Sequence, residues 1–104
     1  MRVSSVNLKP HLNGLYKQDV RSKNGRPRWK QEDGDNYIQI SMENFWTVVE
    51  GSSVLAEGKV ALRSTYSHLE EPSYIGWEVE SDGSFVSQTA ITVKGESFAI
   101  STWK

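Results

Sequence analysis

Turn-forming residues recur along this chain about every eight to twelve residues, and this spacing constrains the fold more than any other feature. Between the turns, apolar and polar residues alternate with a period of two, and no segment shows the three-and-four spacing of an amphipathic helix. The turn signals are Asn13-Gly14, Asn24-Gly25, Asp33-Gly34, Met42-Glu43-Asn44, Gly51-Ser52, Gly58, Asp82-Gly83 and Lys94-Gly95. We therefore predict an all-β fold, an antiparallel meander of about eight strands that forms a small sandwich or barrel.

The runs between these turns give the predicted strands. They are Gly14–Val20, Pro27–Gln31, Asn36–Ser41, Phe45–Glu50, Val54–Glu57, Lys59–Ser64, Ile75–Glu80, Ser84–Val93 and Glu96–Trp103. The runs on either side of Gly58 are alternatively one strand with a bulge at that glycine. The segment Thr65–Tyr74 has the weakest strand signal, and we expect a single helical turn over Ser67–Glu71 that Pro72 ends.

The length of 104 residues fits one domain, which we place at residues 13–104, after a loose N-terminal tail at residues 1–12. Four Trp, four Tyr and three Phe allow few residues to build a large core. The predicted core residues are Tyr16, Trp29, Ile38, Ile40, Trp46, Val48, Leu62, Trp77, Val79, Ile91, Phe98 and Ile100.

Cysteine usage and hydropathy favour an intracellular, cytoplasmic protein. The chain has no Cys, whereas small secreted domains usually carry disulfides. The N-terminal residues lack the apolar run of a signal peptide, and no segment is apolar enough to span a membrane. We therefore expect no membrane association.

Residues suited to catalysis or metal binding do not form a recognisable pattern. The two histidines, His11 and His68, are isolated, and zinc sites need clustered ligands. The run Glu32–Asn36 lacks the alternating acids and the closing glutamate of a calcium loop. Neither the Ser67-His68 pair nor the Glu70-Glu71 pair brings the further group that catalysis needs. We predict a protein that is not an enzyme and uses no metal or cofactor.

Charge is distributed unevenly along a chain whose net charge is −1. Six of the twelve cations lie close together, and Asp19 alone opposes them; they are Lys17, Arg21, Lys23, Arg26, Arg28 and Lys30. From Ser64 to Val93 there are five acids and no cation. Two interpretations stay open. The cations form a binding surface, or they line the solvent face of a hairpin edge, with Trp29 on the opposite face.

Several short motifs carry a resemblance to a known family. They are NGLY at 13–16, NGRPRW at 24–29, NYIQI at 36–40, NFWTV at 44–48 and GWEVESDG at 76–83. In this order they resemble a tryptophan- and tyrosine-rich β module that occurs in eukaryotic multidomain proteins. The resemblance implies a β fold in a eukaryotic protein. It implies no catalytic residues, because the module has no settled activity.

The sequence thus predicts a non-enzymatic binding module that contacts a protein or an anionic ligand through the hairpin 16–31. Nucleic acid is a less favoured ligand. The predicted binding residues are Tyr16, Lys17, Arg26, Arg28, Trp29 and Lys30. One alternative is a small-ligand binder with a barrel mouth lined by Trp and Tyr. Another is a structural domain that self-associates through Phe45–Val49, a strand with two apolar faces.

Overall fold

A computed structural model describes residues 1–51 and 58–95 of the chain. Within these residues the chain forms nine strands and one short 3-10 helix at Pro10–Leu12. The strands are β1 (Arg2–Ser4), β2 (Gly14–Gln18), β3 (Trp29–Gln31), β4 (Asn36–Ile40), β5 (Phe45–Glu50), β6 (Lys59–Ser67), β7 (Trp77–Ser81), β8 (Ser84–Ser87) and β9 (Thr92–Lys94).

All nine strands belong to one antiparallel sheet, in the order β8-β7-β6-β5-β4-β3-β2-β1-β9. Strands β1 to β8 follow one another as a meander, and β9 returns to pair with β1. The sheet curls into a half-barrel, so that the Val93 amide donates to the Tyr74 carbonyl at 2.9 Å, just ahead of β7. The predicted all-β antiparallel class is confirmed, with one curled sheet in place of two stacked ones.

The concave face holds the core, because alternate residues of each strand point inward. Ile38, Trp46, Val48, Leu62 and Val79 are each at most 1 % exposed and belong to one apolar cluster. Tyr16, Ile40, Trp77 and Ile91 join them, as predicted, and Trp29 packs against the cluster while half-buried. The predicted core residues Phe98 and Ile100 lie outside the described residues.

The N-terminal residues differ from the loose tail predicted for 1–12. Strand β1 pairs with both β2 and β9, and Val3, Val6 and Leu12 are at most 1 % exposed. The Met1 ammonium also donates to the Tyr16 carbonyl at 2.7 Å. A three-residue strand is too short for period-two analysis, and one of its two partners, β9, lies about ninety residues later in the chain.

Strand boundaries differ most in the second half of the chain. Strand β6 continues to Ser67, and the helical turn predicted at Ser67–Glu71 is replaced by the end of this strand and by bends. The run predicted as one strand, Ser84–Val93, is broken into β8 and β9. Two predicted strands, Val54–Glu57 and Glu96–Trp103, lie outside the described residues.

Candidate functional site

The Asn24-Gly25 turn closes the first hairpin as predicted. Both residues have positive φ, 53° and 79°, as a type I′ turn requires. Lys23 and Arg26 flank the turn and exchange two backbone hydrogen bonds of 2.9 and 3.1 Å. The Asn24 amide group donates to the Ile40 carbonyl at 2.8 Å, which fixes the tip of the hairpin against the end of β4.

Arg28 does not lie on the exposed rim where the sequence placed it. Its side chain is 0 % exposed, and its Nε donates to Asp19 Oδ2 at 3.0 Å. The guanidinium also lies 4.3 Å from the centre of the Tyr37 ring, and Nη1 donates to Gln39 Oε1 at 3.3 Å. The prediction of an exposed Arg28 is wrong because a carboxylate, an amide and an aromatic ring together replace its water.

Burial also limits the two aromatic residues of the predicted hairpin site. Tyr16 is 0 % exposed, and its hydroxyl donates to the Leu12 carbonyl at 2.7 Å. Burial, followed by the Glu50 carboxylate, raises the Tyr16 pKa well above its ordinary value. Trp29 is half-buried against Trp46, with 5.9 Å between ring centres. Tyr16 therefore presents no ring face for stacking.

The remaining cations of the predicted site bind groups of their own chain. Lys17 is exposed and pairs with Glu32 at 2.8 Å, and the hydrogen bond to this carboxylate raises the Lys17 pKa. Lys30 is half-buried, and its ammonium donates to the Gly34 carbonyl at 2.7 Å within the Glu32–Asn36 loop. The structure thus pairs Lys17 with Lys30 across β2 and β3 but buries Tyr16 and Arg28. The binding role of the six predicted residues stays a prediction.

Arg26, the last of the six predicted binding residues, contacts a different part of the molecule. Its Nη1 donates to the carbonyl of Glu70 at 2.8 Å. Two core tryptophans hold the same segment from below, since the indole N–H of Trp46 donates to Leu69 O and that of Trp77 to Ser73 O, both at 2.9 Å. We call residues 68–76 the anchored loop, because three side chains of the barrel fix its carbonyl groups.

Large apolar side chains are exposed around the anchored loop. Within it, Tyr74 is 58 % and Ile75 is 59 % exposed, although Ile75 alternates with the predicted core residues Trp77 and Val79. Ser64 pairs with Trp77 and the Thr65 amide donates to Gly76 O, and this register places Tyr66, 70 % exposed, beside Ile75.

The turn after β4 reaches the same end of the half-barrel. The His68 amide donates to Asn44 O at 2.8 Å, which brings the 41–44 turn beside the loop together with Met42, 75 % exposed. We call the resulting surface the end patch; it comprises Met42, Tyr66, Tyr74 and Ile75, with the carboxylates of Glu43, Glu70 and Glu71.

The acids of the end patch differ from those of the strands. Glu43, Glu70 and Glu71 are exposed, and none forms an ion pair within residues 1–51 and 58–95. By contrast, Glu78 pairs with Arg63 at 2.9 Å. The Gly83 amide and the Lys9 ammonium lower the Glu80 pKa. Three carboxylates without an ion pair in this part of the chain therefore lie on the same turn and loop as Met42, Tyr74 and Ile75.

The arrangement at Ser67 and His68 does not extend beyond these two residues. His68 Nδ1 lies 2.9 Å from Ser67 Oγ, and both groups are exposed to solvent. In the described part of the chain, no carboxylate forms a hydrogen bond or ion pair with the His68 ring. Nor do three His, Asp or Glu side chains of these residues converge on a common point that would hold a metal ion. None of their helices has the length and apolar character to cross a membrane.

Two features of the structure bear on the two alternative functions, which stay predictions. Open clefts of about 240, 280 and 360 Å³ lie among residues 1–51 and 58–95, and the walls of these three contain no Trp or Tyr. On the outer face of Phe45–Val49, Thr47 and Val49 are 2 % and 1 % exposed. Two of the three outward residues of that strand are therefore already covered within one chain.

Comparison of the chain with known protein families, with curated protein sequences and with solved structures finds no match. The resemblance to the tryptophan- and tyrosine-rich module accordingly stays a prediction. Sequence reasoning also missed Tyr66, Tyr74 and Ile75 as surface residues. The run of acids without cations between Ser64 and Val93 was the available signal, because it marks the segment that carries them.

Proposed function

We propose that this protein is a non-enzymatic interaction module and that the end patch is the surface that holds its protein partner. The observation that carries the proposal is the coincidence of four large apolar side chains, each more than half exposed, with three unneutralised carboxylates. Exposed apolar groups that are clustered and bordered by charge mark interaction surfaces, whereas isolated ones do not.

The anchored loop supports this role because it is fixed before any partner arrives. Hydrogen bonds from Arg26, Trp46 and Trp77 hold three of its carbonyl groups. A partner then loses little affinity to the ordering of the loop, since that entropic cost is already met during folding. Tyrosines at the centre of such a surface contribute large contact areas with few rotatable bonds.

The chemistry of the end patch specifies the partner. Tyr66, Tyr74 and Ile75 suit an apolar or aromatic side chain, and Glu70 and Glu71 suit a lysine or arginine beside it. We therefore propose a partner segment that carries an apolar residue flanked by cations. The absence of cysteine supports a cytoplasmic setting for this encounter. An anionic ligand at the hairpin is less well supported, because Arg28 and Tyr16 are buried.

Selection from a displayed library of random peptides tests this function. We expect the wild-type chain to enrich peptides that combine Lys or Arg with an aromatic or aliphatic residue. A Tyr74→Ser, Ile75→Ser variant should weaken binding of these peptides at least about tenfold, as loss of central contact residues does. Val20→Ser is the matched control, because Val20 is 98 % exposed on the first hairpin. The proposal would be refuted if Val20→Ser lost as much peptide affinity as the Tyr74→Ser, Ile75→Ser variant, or if the wild-type chain enriched acidic peptides.

A further inference from the structure

A second surface, independent of the end patch, lies at the open edge of the sheet. Strand β8 ends the strand order on one side. At the other side the outer amide of β9, that of Val93, already donates to Tyr74 O. Within the part of the chain that the structure describes, β8 is therefore the sheet edge whose backbone groups stay open to another strand.

The turn between β7 and β8 fixes which backbone groups of β8 point outward. Ser81 and Ser84 flank the two-residue turn Asp82-Gly83, so they form a hydrogen-bonded pair. Pairs alternate in an antiparallel ladder, and the bond from the Gln88 amide to Trp77 O at 3.2 Å continues the alternation. The N–H and C=O groups of Phe85 and Ser87 consequently point away from β7.

The composition of this edge lacks the features that prevent pairing. Residues 83–93 contain no charged residue and no proline, whereas exposed edges usually carry lysine, proline or a bulge. Val86 is 48 % exposed at the middle of the strand. Ser84 and Ser87 are exposed as well, so no large side chain of the described residues covers the edge.

We infer that β8 pairs with β8 of a second copy of this chain, about a two-fold axis that passes beside Val86. In this register Phe85 of one copy faces Ser87 of the other, so that all four outward groups on each strand find partners. The two Val86 side chains then meet across the axis. No charge of residues 83–93 opposes a like charge, so the segment is complementary to itself.

The same register leaves the neighbouring outer surface undisturbed. Phe85 packs on the Arg63 guanidinium, 4.1 Å from its ring centre, and Arg63 also lies 5.3 Å from the Phe45 ring. These three side chains line a cleft of about 240 Å³ on the outer face, away from the hydrogen-bonding edge. Self-association thus proceeds through β8, and not through Phe45–Val49, where the outer face is largely covered.

Cysteine crosslinking tests the register directly, because the chain contains no Cys of its own. Val86 residues across the axis form a non-hydrogen-bonded pair with Cα atoms about 4.5 Å apart, within disulfide range. Ser84 is the matched control on the same strand, since the two copies of Ser84 lie about 14 Å apart in this register. Under mild oxidation, Val86→Cys should form disulfide dimers at least about tenfold faster than Ser84→Cys. Equal rates, or no dimer from Val86→Cys, would overturn the inference.

Charge substitution gives a second test that does not depend on oxidation. Val86→Lys and Val86→Glu each place two like charges beside the axis, and each should shift sedimentation toward the monomer. An equimolar mixture of the two variants should restore a dimer, and amide spectra confirm that each variant keeps its fold. A mixture that sediments as two monomers, or a wild-type chain that stays monomeric at every concentration, would contradict self-pairing through β8.

Discussion

Removal of the Asp19 carboxylate should destabilise the fold far more than removal of the Glu32 carboxylate, which directly follows the first hairpin. Asp19 is the charged partner of Arg28, whose side chain is 0 % exposed and whose Nη2 has no hydrogen-bond partner among the described residues. Asp19→Ala leaves this cation buried without a counter-charge. Removing one partner of a buried ion pair typically lowers the free energy of unfolding by about 3–5 kcal/mol.

The Asp19 side chain itself is 14 % exposed, so water reaches the site in part and the lower end of that range applies. We expect a loss of about 3 kcal/mol. For a domain of this size, 1 kcal/mol lowers the melting temperature by about 4–8 °C, so the expected fall is about 12–24 °C. Thermal and urea unfolding followed by tryptophan fluorescence measure both quantities.

Glu32→Ala is the matched control, since Glu32 pairs with Lys17 on the same hairpin and both side chains are exposed. It should unfold at the same temperature as the wild type. Arg28→Met in the Asp19→Ala background should recover most of the lost stability, because it removes the unpaired charge and keeps the apolar bulk. If Asp19→Ala is as stable as Glu32→Ala, the buried pair does not stabilise the hairpin and our reasoning is wrong.

Three further outcomes follow from single contacts. Burial raises the Asp19 pKa, but hydrogen bonds and charge from Arg28 and Arg21 outweigh it and leave the pKa lowered. A carboxylate with a lowered pKa stabilises the folded state above the pKa of the unfolded chain, about 4, and this stability is lost as the pH falls. Acid titration should therefore show a shallower loss of stability below that pH for Asp19→Asn than for the wild type. Ser64→Ala removes the hydroxyl that accepts from the Trp46 amide at 3.1 Å, and a buried donor left alone should lower the unfolding free energy by about 1–3 kcal/mol in urea titration. Gly25→Ala forces a side chain into φ 79°, and calorimetry should show a loss of about 1 kcal/mol, whereas no loss would argue against the type I′ turn.

Local chemistry explains which parts of the fold the sequence predicts correctly. The turns at Asn24-Gly25 and Asp82-Gly83 need positive φ at both positions, and these residue types tolerate it. Each turn can therefore be predicted from its two residues alone. The inward residues of β4, β5 and β7 follow from alternation, since each strand has five or six residues. These predictions need no knowledge of distant contacts.

Contacts between distant segments explain what the sequence does not reveal. Strand β1 is ordered by β9, about ninety residues later in the chain, and its three residues carry no pattern of their own. Arg28 alternates with Trp29 like a surface residue, and its burial depends on Asp19, just after β2, and on Tyr37 and Gln39 of β4. A cation that is neutralised by such partners cannot be told from an exposed one by spacing.

The sequence predicts the end patch only in part. The acids of the 64–93 segment are visible in the composition, and they mark the right region of the chain. The exposure of Tyr74 and Ile75, however, depends on the β6–β7 register and on two indole hydrogen bonds to the loop. Which carbonyl accepts the hydrogen bond of a core tryptophan is decided only in the folded protein, so the sequence alone does not predict the position of the loop.

Amide chemical shifts of the labelled chain show directly whether a cationic partner binds at the end patch. The chain is titrated with two matched peptides, one that combines lysines with a tryptophan and one in which glutamates replace the lysines. We expect the cationic peptide to shift the amides of residues 66–76 and 41–44, and the acidic peptide to produce little response. Shifts confined to the hairpin 16–31, or produced equally by the acidic peptide, would contradict the assignment of the end patch as the binding surface.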